Sequence, residues 1–344
     1  MKKIAIIILN WNGKKLLAQF LPTVLAHSLG DNSEVVVADN GSTDDSVSFL
    51  QTKFSNVPLI LLDQNYGFAE GYNRAIAQVN SEYVVLLNSD VETTSDWLQP
   101  LVDYMDTHPE VTAVQPKIRA YHDKEKFEYA GAAGGFIDRY GYPFCRGRIL
   151  DVLETDTGQY DETIPVFWAT GACLFIRRKD YIEAGGLDAR FFAHQEEIDL
   201  CWRLNARSRR VMCIPQSTVY HVGGASLSTD NPRKTYLNFR NNLLMLYKNV
   251  QPKRLFSTFA MRYALDFLAF THQLVLGRFN NARAIVRAHW DFLRMRSSFQ
   301  PARNENLDKT TVADIPTHYA KSVLWKFYFE GRKTYASLFR RNKN

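Results

Sequence analysis

The stretch YVVLLNSDVE, Tyr83–Glu92, decides how this chain reads. Five apolar residues in a row, without polar alternation, fit a strand buried on both faces, and the run ends abruptly at Asn88, Ser89 and Asp90. In open parallel sheets ligands bind beyond the carboxyl ends of the strands, so polar residues at that end sit where a ligand would. Working outward, IAIIIL (4–9), VVVA (35–38) and PLILL (58–62) read as strands of the same kind, and VTAVQP (111–116) adds another. Between them, 14–27, 44–53 and 68–79 have helical spacing with polar faces. Strand and helix in alternation predict an α/β chain, a mostly parallel Rossmann-like sheet flanked by helices.

Further along the pattern changes. Residues 117–165 are rich in Gly, Tyr and charge and read as a loop-rich insertion or sheet edge. Apolar runs return at VFWATGACLFIRR (166–178), a helix is expected from about His194, and short strands follow at VMCI and VYHVGG. From Arg233 onward nearly everything reads as helix, apart from a polar interval around 297–316. The stretch FAMRYALDFLAFTHQLVL (259–276), broken by Arg262, Asp266 and His272, reads as an amphipathic or buried helix, since a spanning helix needs about 20 apolar residues. The apolar run of MKKIAIIILNWNG is too short for a signal peptide and reads as the first strand. Cys145, Cys173, Cys201 and Cys213 lack CxxC spacing, which points away from zinc and disulfide frameworks and toward a reducing cytosol.

Charge divides the chain at the same place as the pattern. Residues 1–231 hold 21 Lys and Arg against 30 Asp and Glu, whereas 232–344 hold 21 against 6, a net +15 within an overall +6. We therefore expect two parts with separate jobs, an acidic 1–231 and a basic, mainly helical 232–344. The basic part is suited to an anionic membrane surface, through the amphipathic runs 233–249 and 252–276. No nucleic-acid module is recognisable in it.

Five stretches can carry chemistry. In ADNGSTDDS (38–46), Asp39 closes a strand where a ribose or base would lie, and Gly41 permits an unusual turn. QNYGFAEGYNRAI (64–76) offers a helix start whose N–H groups suit a phosphate, but it is neither a dinucleotide fingerprint nor a P-loop. In NSDVE, Asp90 with Glu92 offers oxygen ligands to a magnesium or manganese ion bridging to a diphosphate. HQEEIDLCWRL (194–204) brings two adjacent carboxylates to a helix start, suited to general-base work, with Glu196 placed to pair with Arg203. In YHVGGASL, His221 closes a strand beside two glycines.

In this order, ILNWNG (8–13), ADNGSTDDS, NYGFAEGYNRA (65–75), LLNSDVE (86–92), TGACLFIRR (170–178), GGLDARFFAHQEEIDLCWR (185–203) and HVGGAS (221–226) resemble the family-2 inverting glycosyltransferases of the GT-A fold, especially the rhamnosyltransferase-like branch. YLNFRNNLLMLYKN (236–249) is similar to the helical end these enzymes often carry. The resemblance implies that Asn10, Asp39, Asn65, Gly67, Asn73 and Asn88 bind the donor. It implies that Asp90 is the last position of an Asp-x-Asp signature whose first position here is Asn88, and that His221 completes a site for a divalent cation. It implies Glu197 as the base of the Glu196–Glu197 pair, with Trp168, Gly171 and Ala172 shaping the acceptor pocket. The implied reaction moves a sugar from a nucleotide-sugar to a glycan or polyprenyl-linked hydroxyl, at the cytoplasmic face of a membrane, in cell-surface polysaccharide synthesis. Two competing classes are a non-catalytic nucleotide or nucleic-acid binding protein and a nucleotidyltransferase.

Overall fold

The computed structural model describes residues 2–28, 30–223 and 231–340. The predicted apolar runs become β1 (Ile4–Asn10), β2 (Ser33–Asn40), β3 (Leu59–Leu62) and β4 (Tyr83–Asn88), alternating with α1 (Lys14–Ser28), α2 (Ser46–Lys53) and α3 (Gly67–Ala77). Then follow β5 (Val91–Thr93), α4 (Gln99–Thr107), β6 (Val111–Ala120), β7 (Ile164–Pro165), β8 (Cys173–Arg177), α5 (Glu196–Ala206) and β9 (Arg210–His221). These strands form one sheet in the order β7-β9-β6-β8-β4-β1-β2-β3, with β5 paired to β9. The β3-β2-β1-β4 half is parallel, as expected. β8 then enters antiparallel between β4 and β6, and β6 runs parallel to β9.

Alternation along each strand feeds two cores. Ile4, Ile6 and Ile8 join Leu17, Leu21 and Val24 of α1 on one face, while Ala5 and Ile7 join Tyr72, Ala75 and Ile76 of α3 on the other. Each such aliphatic side chain contributes about 1.5–3 kcal/mol when fully buried, which fixes the strand register and with it the polar residues at the strand ends. β3 departs from the expectation: it is the last strand of the sheet, partly exposed, with Leu61 turned to solvent.

Two other expectations change. The 117–165 region is not merely loop. It folds into a small sheet of Gly135–Asp138, Pro143–Cys145, Arg148–Ile149 and Val152–Leu153, completed by His318–Tyr319 from the distant end of the chain. The tail helices are α6 (Pro232–Asn249), α7 (Pro252–Val275) and α8 (Phe279–Met295), and part of the polar interval is itself helical, at Gln300–Asp308. α6 begins at the expected boundary, but its Leu243, Leu244, Met245 and Leu246 are buried in the same core as α3 and α5, so this run is not a free amphipathic surface.

Candidate active site

Register assembles the site at the carboxyl edge of the sheet. Asn10 lies opposite Asp39 across β1 and β2, and Leu9 lies opposite Asn88 across β1 and β4. Asn10 Nδ2 donates to Asp39 Oδ2 at 2.9 Å and to Ser42 Oγ at 3.2 Å, while the Ser42 amide donates to Asp39 Oδ1 at 2.9 Å. Asp39 is thereby buried and held rigid, and Asn10 Oδ1 is left buried without a partner. Asn12, with φ 52°, accepts from the Thr43 and Asp44 amides and pins the loop after β2.

The pairing of β5 with β9 brings in a residue 131 positions away from Asp90. His221 lies opposite Val91, and its Nε2 is 3.1 Å from Asp90 Oδ1 and 3.3 Å from the Asn88 amide nitrogen. Its other nitrogen, Nδ1, lies 3.4 Å from Glu128 Oε2. Burial works to lower the His221 pKa, but the two carboxylates outweigh it and push it up to about 10. Burial likewise opposes ionisation of Asp90, yet its contact with His221 holds the carboxyl below the usual range. Glu128 comes from the stretch whose weak periodicity hid it. Glu92, the second acid of NSDVE, turns away and pairs with Lys124.

The acidic pair begins α5. Burial raises the Glu196 pKa well above the ordinary value, reinforced by neighbouring Glu197, and burial pushes Glu197 up to about 7. One carboxyl oxygen of each is buried without a partner. A Cβ placed on Gly171 would lie 3.9 Å from Glu197 Cβ, and the adjacent Ala172 carbonyl accepts from the Asn88 amide at 3.0 Å. Gly171 and Ala172 thus connect the base candidate directly to the strand end carrying Asn88 and Asp90. Trp168 is placed differently: it is buried, its indole N–H donates to the Phe136 carbonyl at 2.9 Å, and its ring packs under Gly135. The predicted Glu196–Arg203 pairing does not form. Arg203 binds Asp199 at 3.0 Å, within a buried cluster where Asp199 also accepts from Lys248 and Asn249, each at 2.8 Å.

The start of α3 is also corrected. Its amides are already satisfied by the protein: Phe68 N and Ala69 N donate to the Phe192 carbonyl, and Gly67 N donates to Asn65 Oδ1 at 2.8 Å. They are therefore not open to a phosphate. Asn40 Nδ2 bonds Asn65 Oδ1 at 3.2 Å and the Gly67 carbonyl at 3.0 Å, which sets the turn. Asn73 uses its amide on the Leu187 backbone and Tyr181, with Nδ2 to Leu187 O at 2.8 Å and Leu187 N to Oδ1 at 3.0 Å.

The segment before Glu196 is strained. Phe192, His194 and Gln195 have φ of 67°, 72° and 75°, values that cost side-chain-bearing residues free energy and persist only where surroundings impose them. Those surroundings are on α6. Asn241 Nδ2 donates to the carbonyls of Phe191, Ala193 and His194 at 3.0, 2.8 and 2.8 Å. Arg240 donates to the Arg190 and Phe191 carbonyls, and Asn242 Nδ2 lies 3.3 Å from Gln195 Oε1. This clamp was not singled out from the sequence, although NFRNN is an unusual polar run on a helix that buries Leu and Met around it. Of HVGGAS, residues 224–226 lie outside the described residues.

Comparison with known proteins accords with this geometry. The family model described as Glycosyl transferase family 2 matches residues 5–184, just over half of the chain. The chain is 30% identical over 231 residues to the O-antigen biosynthesis protein RfbC of Myxococcus xanthus, covering 66% of this chain and 18% of that protein. It is 28% identical over 214 residues to the N-acetylglucosaminyl-diphospho-decaprenol L-rhamnosyltransferase of Mycobacterium tuberculosis, covering 57% of this chain and 68% of that one. Among solved structures, the mannosyltransferase PcManGT from Pyrobaculum calidifontis, in complex with GDP-Man and Mn2+, superposes with a TM-score of 0.51 at 15% identity, over 89% of this chain and 84% of that one. The sheet with its carboxyl-edge acids and the match over residues 5–184 together show that this chain belongs to glycosyl transferase family 2, with the GT-A fold.

Proposed function

We propose that the protein is an inverting glycosyltransferase that moves a sugar from a nucleotide-sugar to a hydroxyl of a glycan or lipid-linked acceptor in cell-surface polysaccharide synthesis. The observation that carries this reading is the carboxyl of Glu197. The residue is half-buried, its Oε2 is buried without a partner, and Gly171 and Ala172 link it to the strand end that carries Asn88 and Asp90. A proton acceptor thus faces a group of residues suited to a leaving diphosphate, as a single displacement requires.

In this reading Asp39 and Asn10 hold the base or ribose of the donor, and Asn65, Gly67 and Asn73 form the wall behind it. Asp90 would hold a divalent cation, and His221 would join it on giving up the proton that it now shares with Asp90 across 3.1 Å. Glu128, on the far nitrogen of His221, fixes the ring as an outer partner of a metal ligand does. When bound, the cation neutralises charge on the departing diphosphate. Glu197 takes the proton from the acceptor hydroxyl, and burial keeps its proton affinity high. Gly171 lets the Phe68 ring and Glu197 pack close to the 169–172 segment beside the acceptor, and buried Trp168 anchors the start of that segment. No covalent enzyme nucleophile is required.

The Mn2+ in the PcManGT complex supports the cation. The decaprenol-linked substrate named for the mycobacterial relative supports a lipid-linked acceptor. The test is isothermal titration with UDP, dTDP and GDP, each with and without manganese, on wild type and Asp90→Ala. Manganese-dependent binding of one nucleotide, abolished by Asp90→Ala, is expected. Absence of binding to all three by folded protein overturns the reading.

A further inference from the structure

α7 is built inside out. Its buried residues are Thr258, Arg262 and Asp266, while Phe256, Phe267, Leu268 and Val275 point outward. Beneath it, Arg262 pairs with Asp266 at 2.9 Å, His289 Nε2 lies 3.0 Å from the other Asp266 oxygen, and the Arg262 guanidinium stacks on Tyr142 at 4.2 Å. A helix packed only for its own protein buries its apolar stripe and exposes its charges. Here the ionic pair is fixed to the protein together with Leu255 and Phe259, while Phe256, Phe267, Leu268 and Val275 are left outward. α8 continues the surface, with Phe279, Val286 and Trp290 outward between exposed Arg283 and Arg294. No helix among the described residues is long and apolar enough to cross a membrane.

We propose that the outward face of the α7–α8 hairpin lies on an anionic lipid bilayer, in the plane of its interface. Charge selects this occupant over a second copy of the chain. Between Pro252 and Gln300 the sequence has eight Lys and Arg and only two acids. One acid, Asp266, is 1% exposed. The other, Asp291, accepts from Tyr236 at 2.7 Å and faces Arg287 at 3.5 Å. A self-complementary pairing of this face would set arginines against arginines with no free carboxylate on the hairpin to meet them. A bilayer of acidic lipids takes the Phe, Leu and Trp side chains among its chains and the arginines at its phosphates.

The position suits the proposed substrate. Tyr236, bonded to Asp291 of α8, stands one turn from Arg233, whose guanidinium lies 5.2 Å from the Phe192 ring in the strained segment before Glu196. The lipid face is therefore one helix away from the base. The inference rests on the lipid-linked reading for its purpose, though not for the surface itself.

Flotation of the full chain with phosphatidylcholine vesicles, with and without phosphatidylglycerol, tests it. Wild type is expected to float with the anionic vesicles and to be released as salt rises. Phe267→Ser/Val275→Ser/Trp290→Ser, with unchanged melting and nucleotide binding, is expected to lower the partition coefficient at least roughly tenfold. Arg283→Glu/Arg294→Glu is expected to remove the preference for anionic lipid. Failure of wild type to float, or equal flotation of the triple variant, overturns the proposal. So does a wild-type dimer in sedimentation velocity that the triple variant turns into a monomer without change in flotation. Vesicle binding by a protein that binds no nucleotide would uphold this face and remove only the sugar-transfer reading.

Discussion

In the proposed reaction Glu197 is the base, and its burial carries a cost. Its proton is held up to about pH 7 in the folded protein, against an ordinary value of 4.5, so the folded state binds more protons than the unfolded state between those limits. Stability from this group is therefore full below about 4.5 and declines as pH rises through 7. Catalysis runs the other way, because only the ionised carboxylate accepts a proton. We expect kcat/KM to rise with pH and level off above about 7. Glu197→Gln should remove about 10²–10⁴-fold of the rate while leaving donor binding intact, and should melt less steeply than wild type between pH 5 and 8. A pH–rate profile and a pH series of melting curves check the two halves. At the proposed cation site, Glu128→Gln should weaken manganese-dependent nucleotide binding about 10–100-fold by removing the carboxylate beside the His221 ring, measured by titration. Asp39, Asp90, Glu196, Glu197 and His221 were all legible as polar residues at element ends. Glu128 was not, because nothing in its local sequence reports that β9 will pass beside it.

At the scale of elements, the strained 192–195 segment is the part most dependent on neighbours. Asn241→Ala removes the Nδ2 contacts to the Ala193 and His194 carbonyls and leaves the Phe191 carbonyl to Arg240. We expect a stability loss of about 1–3 kcal/mol and a fall in kcat larger than any change in donor affinity, read by denaturation and steady-state kinetics. Gly67 tests the same segment from the other side. Its φ is +77°, and an added Cβ would meet Phe192 Cδ2 at 2.5 Å. Gly67→Ala should cost at least about 1–2 kcal/mol and displace the segment leading to Glu196, lowering kcat as Asn241→Ala does. The periodicity of α3 and α5 was plain in sequence. That α3 would present its first amides to the Phe192 carbonyl instead of a phosphate was not, since the partner lies more than a hundred residues on.

For the whole molecule, the tail is part of the fold as well as an appendage. α6 places Leu243 to Leu246 in the core of the front half, and Lys248 bridges Asp188 and Asp199 at 2.8 Å each. A chain ending at Asn231 should lose cooperative melting and bind a hydrophobic dye, since it exposes that core and leaves Asp199 buried beside fewer partners. Circular dichroism and dye fluorescence check this. The sequence by itself determined the alternation of buried strands and amphipathic helices, and therefore the α/β class and the placing of polar residues at strand ends, because burial period and turn chemistry are local properties. Only the tertiary structure decided that β8 runs against its neighbours, that Glu128 braces His221, that α6 clamps the segment before Glu196, and that α7 shows its apolar side. Each of these depends on which distant segment arrives to satisfy a carbonyl, a charge or an exposed surface, and no window along the chain contains both partners.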